Sequence, residues 1–369
     1  MSKISTSEYT KQFFKSNKDY HYNLEESAED YVVSSGSMIL DSYLGGGFSS
    51  GVHRFVGANE GGKTNEALHV MFNMLNSVKN SKGLFIKAEG RLSKDIQQRS
   101  GLKFVFDPEQ WETGTCLVFE CNIFDVVFDF LRGLLRNNPD KEKFCIVLDS
   151  MDGLLPKAEL EKQTSDAAKV AAGALMTSDF LKRISLGMSK FGHLCILISQ
   201  VRSRIDVNPY AKGDPNNQTN SSGGNAALHY PDWILEFQKQ NKSDKILEKP
   251  TQQITPDNKI YGHLAKVLIC KSTNENTGQT VKYPIKHGRI GGRSIWVERE
   301  IAEMLLMWGF IEKSASWFTV DQEVINYVTE HGGEIKEKLQ GMNAIYDFLE
   351  QNEKECGILK TFVKERILT

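Results

Sequence analysis

The sequence predicts an α/β fold in which a mostly parallel central sheet is covered by helices, with a helical arm before it and a small helical domain after it. Three observations carry this expectation. Between Val52 and about Ser199, short β-rich runs alternate with helix-length stretches, the pattern of βαβ units. Several runs, such as Ile146-Val147-Leu148, are apolar without alternation, which suits strands covered on both faces. One run leads straight into a glycine-rich turn and then a helical stretch.

Composition permits such a fold and limits what it can do. The chain has 369 residues, and its 40% hydrophobic content together with 30 glycines is ordinary for a globular protein. A formal net charge of −2 excludes holding nucleic acid or membrane by bulk positive charge, so a polyanion would need a local site. The apolar runs, such as Leu194 to Ile198, fall far below the roughly 18 residues of a membrane helix. The start MSKISTSEYTKQFFKSNK has no apolar core and reads as no signal peptide. Cys116, Cys121, Cys145, Cys195, Cys270 and Cys356 form no C-x-x-C pair and are expected as buried free thiols in a reducing cytoplasm.

Taken in order, residues 1–35 form a polar arm with one helix, carrying Tyr9, Phe13 and Phe14. Residues 36–296 form the core, with strands over Val52–Val56, Leu84–Ile86, Val118–Glu120, Cys145–Leu148 and Leu194–Ile198, and later over Trp233–Phe237, Leu264–Cys270 and Val281–Ile285. Within it, Asp206 to Asn225 is rich in Asn, Gly, Ser and Pro and reads as a long mobile loop, a length usually kept for function or disorder. Residues 297–369 form the small helical domain.

The run His53–Val56 is followed by Gly57-Ala58-Asn59-Glu60-Gly61-Gly62-Lys63-Thr64, which fits G-x-x-x-x-G-K-[ST], and then by a helical stretch from Asn65. In such a loop backbone N–H groups cradle phosphates at a helix N-terminus, the lysine reaches the β- and γ-phosphates, and the hydroxyl holds Mg²⁺. ATP and Mg²⁺ are therefore expected on Gly57, Asn59, Glu60, Gly61, Gly62, Lys63, Thr64 and Asn65. Asp149 ends an apolar strand and is placed to complete the Mg²⁺ shell with Thr64. Glu89 follows another strand at the same edge, where a carboxylate can orient or deprotonate an attacking water, although a solvated loop Glu fits the same position. Gln200 ends LCILISQ, where an uncharged amide can sense the γ-phosphate. Gly223 and Gly224 can offer bare amides to phosphate, Arg202 and Arg204 flank the loop entrance, and Tyr210 can stack on a base. A surface loop with two solvated arginines is the competing reading.

These stretches together resemble the RecA recombinase family, including its bacteriophage members. The likeness runs from about Val33 to Phe318. SSGSMILDSYLGGGFSSGVHRFVGANEGGKT is similar to the family's lead-in segment and Walker A motif, Ala88-Glu89 to its catalytic-glutamate motif, and IVLDSMDGLLPKAELE to its Walker B strand and the start of its first DNA loop. ILISQVRSRI followed by SSGGNAALHY is similar to its sensor glutamine, second DNA loop and Gly-Gly-Asn exit. The resemblance implies a RecA-type P-loop ATPase core that polymerises on single-stranded DNA with ATP between subunits, then pairs homologous duplex DNA and exchanges strands. It implies catalytic roles for Glu89, Gln200 and Lys271, the last reaching the neighbour's ATP, and DNA contacts from Lys182, Arg202, Gly223, Gly224 and Asn225. It implies a self-assembled helical filament, single-strand-binding and mediator proteins as partners, no membrane, and a place in the cytoplasm, at the nucleoid or in a phage-infected cell. The chain departs from the family at four points. Thr273 stands where a second lysine is expected, Ser93 and Ile96 occupy adenine-packing positions, the mobile loop is longer, and VDQEVINYV replaces a basic hairpin after Trp317-Phe318. A RecA-fold ring helicase and a non-catalytic recombinase accessory paralogue are the competing functional readings.

Overall fold

The computed structural model describes residues 4–16, 31–90, 92–160, 170–203, 219–221, 226–249, 255 and 258–368. Arg204, Tyr210, Gly223, Gly224 and Asn225, expected at a DNA interface, lie outside the described residues.

The strand Gly51–Gly57 is buried along its whole length, as its apolar run requires, and it sits at the centre of an 11-stranded sheet. On one side it pairs in parallel with Trp233–Phe237. On the other follow Leu194–Ser203, Lys143–Asp149, Ser81–Lys87, Thr115–Glu120 and Lys103–Val105, every pair parallel. Beyond Trp233–Phe237 the sheet turns antiparallel through Ile260–Lys271, which pairs with both Lys245–Leu247 and Thr280–Lys286. The far end of Leu194–Ser203 carries Thr219–Ser221 as a short antiparallel strand, so the segment expected as a loop contains a paired piece. Every strand run expected in the core is present, Trp233–Phe237 with the expected bounds and the others with wider ones.

Helices cover both faces. The helix Lys63–Ser77 sets Ala67, Leu68, Val70, Met71 and Met74 at 0% exposure against one face. Each of the larger side chains contributes about 1.5–3 kcal/mol by leaving water. On the other face, Phe124–Arg136 and Val170–Lys190 bury Val127, Leu131, Phe180, Leu181 and Ile184. Cys116, Cys145 and Cys195 are buried in these layers and all six cysteines are free thiols, but Cys270 is exposed because it lies near the end of a strand at the antiparallel margin.

The C-terminal part has its own apolar cluster. It contains the helices Val297–Met307, Gln322–Glu330, Met342–Gln351 and Glu353–Arg366, and also a 3-stranded antiparallel sheet of Ile311–Ser314, Trp317–Val320 and Lys338–Gln340. The hairpin places Ile311, Phe318 and Val320 inward and Glu312, Lys313 and Trp317 outward, an alternation that a helix could not bury. A half-buried clasp ties this part to the core. Glu350 accepts Lys286 Nζ, Arg289 Nη2 at 2.9 Å and Trp296 Nε1 at 2.7 Å. The arm helix Thr6–Ser16 buries none of its residues, leaving Tyr9, Phe13 and Phe14 about half exposed.

Two buried carboxyl groups hold the segment Ser34–Ser37, where the lead-in crosses the core, and a third, Glu66, feels the charge of both. Asp41 accepts from the Ser34 hydroxyl and from Ser35 N at 2.7 Å. Glu300 accepts from the Ser37 hydroxyl and from Met38 N at 2.8 Å. Glu66 accepts from Tyr283 Oη at 2.8 Å, while its Oε1 has no hydrogen-bond partner. Burial pushes Asp41 above the usual carboxylate value, and burial with repulsion from Asp41 added pushes Glu66 and Glu300 each up to about 8. Between the ordinary Glu value near 4.5 and about 8, the folded chain keeps a proton on Glu66 that the unfolded chain releases. The contribution of Glu66 to stability therefore falls as pH rises through that window, by up to about 1.4 kcal/mol per unit. Unfolding of the Glu66→Gln variant, followed in urea at pH 5.5 and pH 8, should show its stability relative to the parent rising with pH. A pH-independent difference would contradict a neutral Glu66.

Candidate nucleotide site

The site forms where the parallel strands end. Register sets Gly57 beside both Gln200 and Phe237, and Lys87 beside Asp149, so the segments that follow these residues emerge along one edge. The turn after Gly57 must pass close to the neighbouring strand. A Cβ on Gly57 would lie 2.2 Å from the Phe237 carbonyl oxygen, and Gly57 has φ +144°. Gly62, at φ +98°, caps the helix Lys63–Ser77 and faces open space. The first-turn N–H groups of that helix are thereby turned toward the cradle. Asn59 and Glu60 are exposed at the loop tip, and Asn65 is exposed on the first turn.

Lys63 is buried, and its Nζ donates to the carbonyls of Gly57 at 2.9 Å and Ala58 at 2.7 Å. Burial pushes its ammonium below the usual lysine value, while Asp149, Asp152 and Glu89 pull it back. Thr64 Oγ1 donates to Asp149 Oδ2 at 2.7 Å. Burial raises Asp149, and Glu89 adds to the rise, against the Thr64 hydrogen bond and the Lys63 charge. A hydroxyl and a carboxylate in contact beside an ammonium form a hard oxygen donor pair, which fits Mg²⁺. Glu89 Oε1 accepts from the Ser150 hydroxyl and from Gln200 Nε2 at 3.2 Å. Gln200 N in turn donates to Asp152 Oδ2 at 2.7 Å. Beside the loop lies a cavity of about 430 Å³, lined by Gly61, Gly62, Asn65, Asp95, Gln98, Arg99, Phe237, His263 and His287 among others. Ser93 accepts from Ile96 N at the start of helix Lys94–Ser100, and Ile96 packs on the core, so both of these departures have work in the fold.

Comparison with known proteins then decides the family. The model of the RecA N-terminal domain matches residues 6–272. The chain belongs to the RecA family. Protein RecA of Mesoplasma florum is 27% identical over 351 residues, covering 94% of this chain and 90% of that protein. Protein RecA of Chlorobaculum tepidum is 27% identical over 307 residues, covering 81% and 77%. Protein RecA of Mycobacterium ulcerans is 26% identical over 331 residues, covering 85% of each chain.

In this RecA-family chain Lys63, Thr64, Asp149, Glu89 and Gln200 lie together at one edge. Lys271 does not join them by any described contact. Its Nζ donates to the carbonyls of His229 at 2.6 Å and Pro231 at 2.7 Å. Lys182 is exposed on the helix Val170–Lys190, and Arg202 lies on the strand extension, its backbone paired with Asn220. Sequence reasoning missed Ser150 and Asp152, although both stand in the Walker B string it quoted, and it missed Arg54, whose only signal was a charge inside an apolar run.

Lys63→Ala removes the one side-chain cation hydrogen-bonded inside the described loop. Affinity for a fluorescent ATP analogue should fall by at least about tenfold, roughly 1.4 kcal/mol, with unchanged circular dichroism. Parental affinity would remove the loop from nucleotide binding.

Proposed function

We propose that this chain is a DNA-dependent ATPase that polymerises on single-stranded DNA and promotes homologous pairing and strand exchange in recombination and repair. The observation that carries the reading is the Glu89–Gln200 contact beside the phosphate loop. It supports the reading because a base-capable carboxylate touches the amide of Gln200, and Gln200 lies on the strand that runs on to Arg202 and the polar segment. The amides of Gly61 to Lys63 hold the ATP phosphates and Lys63 offsets their charge. Thr64 and Asp149 hold Mg²⁺, which when bound neutralises phosphate charge. Glu89 takes a proton from the water that attacks the γ-phosphorus as the bond to the β-phosphate oxygen breaks, leaving ADP and phosphate.

The assembly follows the same reading. Residues 1–35 pack on the next subunit, which explains three large apolar groups left half exposed on the arm helix. Residues 36–296 form the ATPase core, and residues 297–369 form a small domain. Lys271 reaches the neighbour's ATP once freed from its carbonyls. Lys182, Arg202, Arg204, Tyr210, Gly223, Gly224 and Asn225 line the DNA path. The partners are single-stranded DNA, homologous duplex, further copies of the chain, and single-strand-binding and mediator proteins in the cytoplasm. No described helix is long and apolar enough to cross a membrane. A second reading, an accessory subunit that caps a recombinase, draws on Thr273 in place of a lysine.

ATP turnover measured with and without single-stranded DNA separates the two. The recombinase reading expects strong stimulation in the parent. It expects loss of about 10²-fold or more in Glu89→Gln, with nucleotide and DNA binding retained. A parent that binds both ligands yet does not turn over would favour the accessory reading.

A further inference from the structure

Arg54 is a charge in the middle of the central strand, 2% exposed, and the nucleotide chemistry above makes no use of it. Burying a guanidinium is costly unless its donors are matched by acceptors. Its acceptors come from separate elements. Nε donates to Ser199 Oγ at 3.2 Å, one residue before Gln200. Nη1 donates to the Ala227 carbonyl at 3.2 Å, in the short helix Ala226–His229. Asp152, whose carboxylate accepts Gln200 N at 2.7 Å, attracts the guanidinium electrostatically. Burial lowers Arg54 to about 10, which leaves it charged at neutral pH. The same short stretch ends on the His229 and Pro231 carbonyls that hold Lys271.

We propose that Arg54 is a positioning residue that couples occupancy of the nucleotide site to the setting of the helix Ala226–His229, and through it to the release of Lys271. The coupling rests on the DNA-dependent ATPase reading. A planar, rigid fork joins two acceptors whose separation it fixes. If a bound nucleotide shifts Gln200 and the Ser199 beside it, Ala227 must follow or lose its donor. The helix begins directly after Asn225, so DNA bound along that segment pulls on the same fork from the other side. A lysine keeps the charge but cannot span both acceptors in fixed geometry.

The test uses the full chain with Arg54→Lys and Arg54→Met, checked for folding by circular dichroism and thermal unfolding. One readout is amide exchange at Ala226–Tyr230 with and without a slowly hydrolysed ATP analogue. The other is ATP turnover with and without oligo-dT, resolved into kcat and KM. In the parent the nucleotide changes exchange at Ala226–Tyr230. In Arg54→Lys that change is lost and the DNA stimulation of kcat falls by about tenfold, while KM for ATP stays within about twofold. Parental exchange response and stimulation in Arg54→Lys would overturn the proposal. Should the Arg54 variants fail to fold, Ser199→Ala removes only the hydroxyl acceptor. The proposal expects it to reduce both readouts and is overturned if neither moves. If oligo-dT leaves turnover of the parent unchanged, the proposed function fails, and the nucleotide-dependent exchange at Ala226–Tyr230 still decides the role of Arg54.

Discussion

The hydrogen bond from Thr64 Oγ1 to Asp149 Oδ2 joins the first turn of the phosphate-loop helix to the end of a strand two places away in the sheet. It depends on how three neighbouring strands are aligned. Parallel pairing in a fixed register, Gly57 beside Gln200 and Leu148 beside Leu197, sets where each of them ends. A slip of one residue would turn every side chain of a strand to the opposite face and part the hydroxyl from the carboxylate. Glu89 and Gln200 come together by the same alignment.

Ionisable groups are buried here in several places, and each instance joins elements that apolar packing alone would leave less constrained. Arg54 bonds the short helix Ala226–His229, Glu300 holds Ser37 and Met38 of the lead-in segment, and Glu66 holds Tyr283. Glu350 gathers Lys286, Arg289 and Trp296 to hold the C-terminal part. Lys286 and Arg289 also line the cavity beside the phosphate loop, so Glu350 of the C-terminal part holds one wall of the candidate nucleotide site.

The elements of the sheet were legible because their signal is local: an apolar run, a turn, a helical stretch. The phosphate loop was legible because its glycines, Lys63 and Thr64 are contiguous. What sequence could not show was the order of the strands, which depends on long-range pairing, and hence which strand ends meet. Arg54 was hidden for that reason, since its acceptors Ser199 and Ala227 are 145 and 173 residues away. Ser150 and Asp152 were in view yet unassigned, because nothing local shows that Glu89 and Gln200 bend back to them. The C-terminal hairpin was masked by the stronger helical patterns around it. Its Ser314-Ala315-Ser316-Trp317 corner needs Ala315 at φ 53°, a conformation that alanine does not advertise.

The central claim is that Thr64 and Asp149 are a metal-dependent nucleotide cradle rather than a structural hydrogen bond. Equilibrium binding of a fluorescent ATP analogue, titrated with and without Mg²⁺, tests it in the parent and in Asp149→Asn. The amide still accepts the Thr64 hydroxyl but carries no charge. Mg²⁺ should tighten binding to the parent by about tenfold or more, roughly 1.4 kcal/mol, and should do little for Asp149→Asn, whose metal-free affinity stays near that of the parent. Equal tightening in both proteins, or none in the parent, would contradict the account.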